Sequence, residues 1–336
     1  MIRHANVLVT GGAGYAGSVV VPRLLAAGHR VRILDLFLFG EEPLRSIDPE
    51  GQVARLHGDV RDPETVARAM AGCDDVIHLA GISDAASFDF DPLLGHSVNL
   101  RGFACVIEAA RHAGVRRVVH VSTTDVYGNS PGRAQEETLL QPHHSLARCA
   151  ALVEELARAA RGQGLPVTTL RVAPLCGWSP RLRLDLPLND LVARGYCLQE
   201  LPEPLVRECH SGLHVADLAD LLAATLQWPD EDRGSSVYNV AAAIDLPSLL
   251  RVLNESLGLN GTFKEWAGGS SLRPEVSTAR LAREYGWRPR HAPASVVTEL
   301  SARLAEGQTP EILSNPRYRN VETLRRLPPD ELRRAA

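Results

Sequence analysis

Short apolar runs alternate with segments of helical periodicity through the first half of the chain. "NVLVT" (6–10) is followed by "SVVVPRLLAAG", whose apolar positions recur at helical spacing, and then by "RVRILD" (30–35). "VARLHGD" and "DVIHLAG" have the pattern of two further strands, with "PETVARAMAG" helical between them. "FACVIEAARHAG" is an amphipathic helix leading to the strand "RVVHVST" (117–123); residues 143–162 are helical, and "PVTTLRV" (166–172) is again a strand. This alternation predicts an α/β fold, a parallel, doubly wound sheet. After residue 175 the pattern loosens, with proline and arginine frequent in "PLCGWSPRLRLDLP". "LHVADLADLLAATL" (213–226) and "SVYNVA" predict a helix and a strand that rejoin the main sheet, and "SARLAEGQTPEILSNP" suggests a C-terminal extension. The expected division is a nucleotide-binding domain over 1–175, rejoined by 210–242, and a smaller lobe built from 176–209 and 243–336.

Composition narrows the function classes. Hydrophobic residues make up 45% of the 336, enough for a full core. The net charge of −4, with both signs well mixed, argues against nucleic acid or an anionic membrane as partner. Six cysteines without a CxxC pair suit a reduced, cytoplasmic protein. No apolar run is long enough to span a bilayer, and no charged-then-apolar leader precedes the first strand. Cys209, His210 and His214 lack a zinc spacing, so no metal is expected. Lysine occurs once, as Lys264, among many arginines.

"VLVTGGAGYAGSVVV" sets Gly11, Gly14 and Gly17 between a strand and a helix. A dinucleotide requires that arrangement: small residues let the backbone approach the pyrophosphate, and the helix N-terminus meets its charge. Asp35 ends the second strand, where an acid binds the adenosine ribose. Its charge would repel a 2′-phosphate, which favours NAD over NADP.

With these motifs the chain resembles the extended short-chain dehydrogenase/reductases, in the NAD-dependent epimerase/dehydratase group that acts on nucleotide sugars. "TGGAGYAG" matches the glycine motif, including Tyr15 and Ala16, and "LDLFLFG" the second-strand ending with Asp35 and Leu36. "GDVRD" is similar to the adenine-edge motif, which implies Asp59 and Val60 beside the adenine. "HLAG" implies Leu79, Ala80 and Gly81 along the cofactor, and Asn99 in "SVNLRG" matches the family's helix asparagine. "VSTTDVYG" resembles the active-site strand, with Ser122 near the cofactor and Tyr127 as a wall of the pocket. The resemblance implies a Rossmann-type domain with a small C-terminal substrate lobe, bound NAD, and a homodimer formed through two helices. It also implies a nucleotide-sugar substrate whose diphosphate meets Arg181, Arg183, Asn189 and Arg273; arginine forks suit phosphate oxygens.

One motif departs from the family. "LLQPHHSLARCAALVEELAR" aligns without a gap to P-x-S-x-Y-x-x-x-K-x-x-x-E, with Pro142 and Glu154 at its ends. His144 then replaces the serine, Leu146 the tyrosine and Ala150 the lysine. Residues four apart share a helix face, so Leu146, Ala150 and Val153 form an apolar stripe where a reactive pair would stand. Arg148 projects to nearly the opposite side and is a poor proton shuttle. Thr123 remains at the hydroxyl-donor place. Asp125 stands where 4,6-dehydratases carry a glutamate base, and a carboxylate there suits removal of a proton beside a ketone. His144 is a candidate acid/base replacement, since an imidazole side chain can gain or lose a proton near neutral pH, and Cys149 is the weaker nucleophile candidate. Two functions remain open. One is an enzyme of the nucleotide-sugar epimerase/dehydratase type with unconventional proton transfer, acting on a keto-sugar nucleotide. The other is a catalytically silent NAD-binding protein that acts as a sensor or partner subunit.

Overall fold

The computed structural model describes residues 4–45, 48, 53–130, 132–209, 211–229, 236–259, 275–306 and 310–328. Arg273, Lys264 and His210 lie outside them. Ten strands occur among the described residues: β1 (Asn6–Thr10), β2 (Arg30–Asp35), β3 (Ala54–His57), β4 (Asp75–His78), β5 (Arg117–Thr123), β6 (Val167–Val172), β7 (Leu175–Cys176), β8 (Ser211–His214), β9 (Val237–Val240) and β10 (Ala242–Ala243). Seven form one sheet in the order β3-β2-β1-β4-β5-β6-β9, parallel throughout. The order reverses beside β1, which makes the space above the carboxyl ends of β1 and β4 a topological switch point, the usual ligand crevice of such sheets.

All four residues of β4 are buried, as expected for a central strand covered on both faces. On one face, Val20, Val21 and Leu24 of the helix Gly17–Ala26 pack with Leu218, Leu221 and Leu222 of the helix Val215–Thr225. On the other, Val66, Phe103, Val106, Leu146 and Val153 join the helices Pro63–Met70, Gly102–Ala113 and Ser145–Gly162 into one core. Helix ends follow local chemistry. Asp62 accepts the Glu64 N–H and is followed by Pro63, while Gly114 stops its helix in the left-handed conformation (φ 65°).

A second core lies in the lobe, where Leu188, Leu191, Leu249, Leu253, Val297 and Leu300 meet. A three-stranded sheet, β10-β8-β7, runs beside it. Here the structure departs from the sequence pattern. Leu213 and His214, expected at the start of a helix, belong to β8, and the helix begins at Val215. His214 caps that helix by accepting the Ala216 N–H, so a continuous apolar pattern conceals a strand-to-helix junction. No helix among the described residues is long and apolar enough to cross a membrane.

Candidate active site

A cavity of about 950 Å³ lies at the switch point. The glycine loop forms its first wall. Gly11 adopts φ +73°, and a Cβ there would stand 2.7 Å from the Ala80 backbone nitrogen. A Cβ on Gly17 would lie 2.4 Å from the Gly11 carbonyl oxygen. These glycines therefore close the loop tightly and leave the N-terminus of the helix Gly17–Ala26 accessible to an anion. The Asp35 carboxylate accepts the N–H groups of Ala13 (2.9 Å) and Phe37 (2.8 Å), tying the loop to the end of β2. Burial raises its pKa, against the pull of those hydrogen bonds. Each residue expected at the cofactor lines this cavity: Gly11, Gly14, Tyr15, Ala16, Gly17, Asp35, Leu36, Asp59, Val60, Leu79, Ala80, Gly81, Asn99 and Ser122. Asn99 sits in a π-helical turn and brackets Ile82, accepting its N–H (2.8 Å) and donating to its C=O (2.9 Å).

The far wall carries the proton-transfer candidates. The Thr123 hydroxyl oxygen accepts the Asp125 N–H (3.1 Å), which leaves its own proton to be donated elsewhere. Asp125 Oδ2 lies 3.5 Å from His144 Nε2. His144 Nδ1 accepts the Ala147 N–H at 3.3 Å and so caps the helix Ser145–Gly162. That bond requires an unprotonated Nδ1; neutral His144 therefore carries its proton on Nε2, towards Asp125. Leu146, Ala150 and Val153 line the same cavity as an apolar face. Cys149 on that helix is buried and burial pushes its thiol up to about 11, which leaves it a packing residue.

Two expectations for the substrate wall are corrected. Tyr127 is fully buried and does not line the cavity; its hydroxyl accepts from Arg171 Nη1 and donates to Asn239 Oδ1, both at 2.7 Å. Asn189 is likewise fully buried and absent from the lining. Its amide accepts the Gly177 N–H and donates to the Arg183 carbonyl and the Tyr15 hydroxyl, holding the lobe to the glycine loop. Arg181 and Arg183 do reach the cavity. Arg183 is paired there with Asp84 (3.1 Å) and Asp185 (3.2 Å).

The sheet order, the glycine loop tied to Asp35, and the β5 corner with Thr123 agree with a sequence match. Residues 7–241 match the model of the NAD dependent epimerase/dehydratase family. The chain belongs to that family. UDP-glucose 4-epimerase of Lacticaseibacillus casei is 26% identical over 310 residues, covering 85% of this chain and 92% of that one. A 4-hydroxy-2-methyl-3-oxo-4-farnesyl-3,4-dihydroquinoline-1-oxide ketoreductase of Stigmatella aurantiaca is 31% identical, covering 75% and 73%. Among solved structures, the dTDP-glucose 4,6-dehydratase DesIV of Streptomyces venezuelae, with NAD and TYD bound, superposes with a TM-score of 0.73 at 26% identity, covering 90% of this chain and 98% of DesIV. NAD is the family's cofactor, in agreement with an acid rather than a base at the end of β2.

The cavity also has walls that sequence reasoning missed. His78 and His120 face each other across β4 and β5 in direct register and line its floor. Burial pushes them down to about 4 and about 3, so both are neutral at physiological pH. The C-terminal segment contributes Arg319, Asn320, Val321, Glu322 and Leu324. Asn320 bridges the two halves of the protein, donating its backbone N–H to Asp185 (2.9 Å) and its amide to Asp84 (3.1 Å). Only the strand pairing exposes the two histidines, and only the folded chain brings residue 320 to residue 84.

The glycine loop yields a direct expectation. In Gly17→Ala the new methyl would meet backbone atoms of Gly11 and Gly12 at 2.4–2.6 Å, and backbone cannot yield as a flexible side chain does. The NAD dissociation constant, measured by calorimetric titration, should rise at least about 100-fold, roughly 2.7 kcal/mol.

Proposed function

We propose that this family member binds NAD along the glycine loop and transfers a proton at a carbon beside the ketone of a nucleotide sugar. The observation that carries the reading is the grouping of Thr123, Asp125 and His144 on one cavity wall, continuous with the NAD wall, while Leu146 and Ala150 offer no proton acceptor. In this scheme Gly11, Gly14 and Gly17 receive the cofactor's pyrophosphate and Asp35 its adenosine ribose. Bound NAD supplies the capacity for hydride exchange with a sugar carbinol. The chain's own groups handle the proton. Asp125 accepts it from the carbon next to the carbonyl, and the Thr123 hydroxyl donates to the oxygen on which negative charge develops. His144 Nε2–H faces Asp125 and orients its carboxylate, with Nδ1 held by the helix cap. If the proton on Asp125 exchanges with solvent before it returns to the same face of that carbon, the sugar gains solvent hydrogen with its configuration kept; delivery of a solvent proton to the other face gives epimerisation. The name of the Stigmatella relative, a ketoreductase, agrees with a carbonyl as the reacting group.

The test is deuterium exchange. NAD-loaded protein would be incubated in D2O with UDP-, dTDP-, GDP- and CDP-linked 4-keto sugars, and the sugars weighed by mass spectrometry. Deuterium should enter beside the ketone of one of them at least about 100-fold faster than in buffer. The apolar face of Leu146 and Ala150 favours a second reading, a silent NAD-binding sensor or partner subunit. Tight NAD binding with neither exchange nor binding of any nucleotide sugar would establish that reading and remove the first.

A further inference from the structure

Five arginines are buried among the described residues: Arg61, Arg117, Arg171, Arg181 and Arg183. Removing a guanidinium from water is costly unless an anion accompanies it. Four of the five have one. Arg61 is paired with Asp59, Arg117 with Asp75, Arg171 with Glu154, and Arg183 with Asp84 and Asp185. Arg181, only 4% exposed, forms no salt bridge among the described residues; the nearby Asp185 and Asp84 carboxylates, which act on its charge from a distance, are paired with Arg183 instead. Its Nη1 donates to the Leu182 carbonyl (3.0 Å) and its Nη2 to the Asn320 side-chain oxygen (2.6 Å), both neutral acceptors. The guanidinium lies over the Phe39 ring, 3.9 Å from its centroid. A guanidinium has five N–H donors, so capacity remains.

Its surroundings indicate which anion it suits. The Arg181 backbone N–H donates to Ser179 Oγ, and that hydroxyl donates to the Tyr15 carbonyl and contacts the Ser18 hydroxyl. The arginine is thus bolted to the glycine loop and to the first turn of the helix behind it. Phe39, beneath the guanidinium, belongs to the loop that follows Asp35. Both neighbours belong to the cofactor half of the cavity, although Arg181 itself comes from the substrate lobe.

We propose that Arg181 is a phosphate clamp for the NAD pyrophosphate, contributed by the substrate lobe and stacked on Phe39. This rests on the NAD reading above and assigns Arg181 to the cofactor rather than to the diphosphate of the sugar nucleotide. Burial, and then the neighbouring charge of Arg183, push its pKa down to about 9, against the smaller pull of the Asp185 and Asp84 carboxylates. Cofactor binding would supply the counter-charge and tie the lobe to the glycine loop. Free protein should therefore tolerate loss of the arginine, and only the bound state should suffer.

The experiment compares full-length wild type, Arg181→Gln and Arg181→Lys. NAD, UDP and dTDP are titrated separately at two salt concentrations, and melting is followed with and without NAD. Expected for Arg181→Gln is a 30- to 100-fold rise, on the order of a charge-assisted hydrogen bond, in the NAD dissociation constant. Its NAD affinity should also depend less on salt, UDP and dTDP affinities should be unchanged, and the NAD-free protein should melt no lower than wild type. Arg181→Lys should recover part of the NAD affinity through its charge. Wild-type NAD affinity in Arg181→Gln would overturn the clamp, and so would a loss confined to UDP or dTDP, which would return Arg181 to the substrate. A lower melting point of NAD-free Arg181→Gln with NAD affinity retained would mark it as a structural arginine. Failure of wild type itself to bind NAD would instead overturn the cofactor reading, so the two failures are separable.

Discussion

Asp125→Asn should lower turnover about a thousandfold and leave the NAD dissociation constant within about twofold, because a positioned general base is worth roughly 10² to 10⁴ in rate. The replacement is nearly isosteric. The backbone N–H of residue 125 still meets Thr123 Oγ1, so the corner after β5 keeps its shape. What disappears is the carboxylate 3.5 Å from His144, and with it the proposed acceptor for the substrate's proton. The readout is the solvent-exchange rate together with an NAD titration of the same sample; unaltered exchange would remove Asp125 from the reaction. His144 separates in a second step, since it both caps a helix and faces the carboxylate. His144→Ser retains a good capping oxygen, so its melting temperature should stay near wild type while kcat falls about tenfold and KM holds. His144→Ala should lose about a further 1 kcal/mol of stability with the cap. If both variants lost stability alike and kept kcat, His144 would be a cap alone.

The sequence made the glycine-loop wall of the cavity legible because its determinants are local. Gly11, Gly14, Gly17 and Asp35 are fixed by one strand-loop-helix unit and the strand beside it. The short spacing between them is enough to place them in space. The apolar stripe of Leu146, Ala150 and Val153 was legible for the same reason, since helical geometry sets which face they share. The substrate wall was not. A motif locates Tyr127 and Asn189 along the chain, but whether each side chain turns to the cavity or away is decided by distant partners: Arg171 and Asn239 for the tyrosine, Gly177 and Tyr15 for the asparagine. Arg183 resembles a phosphate ligand until Asp84, 99 residues earlier, is found against it. The strand β8 was hidden for a different reason. Its Leu213 falls in with the apolar pattern of the helix it precedes, and periodicity alone carries no mark at the junction.

The largest stability effect should come from Glu154, whose carboxylate sits at the centre of a buried network joining β5 and β6 to the helix Ser145–Gly162. It accepts from Arg171 Nε (3.0 Å) and Nη2 (2.6 Å) and from the Ser122 hydroxyl (2.6 Å). Arg171 in turn donates to the Tyr127 hydroxyl and to the Glu136 carbonyl. Glu154→Gln leaves Arg171 charged, because the guanidinium stays protonated at every accessible pH, and leaves that charge buried without a counter-ion. Breaking a buried pair from one side costs about 3–5 kcal/mol, which should appear as a clear fall in the urea midpoint with the slope unchanged. Exchanging both partners for apolar residues, Glu154→Leu with Arg171→Met, removes the stranded charge, and most of the stability should return. Function should not return with it. Ser122 lines the cavity and is held by Glu154, so the double variant should stay impaired in turnover although it melts near wild type. A double variant that recovered both would show that the ion pair serves folding alone; recovery of stability without turnover would show that the network also sets the position of β5 under the reacting carbon.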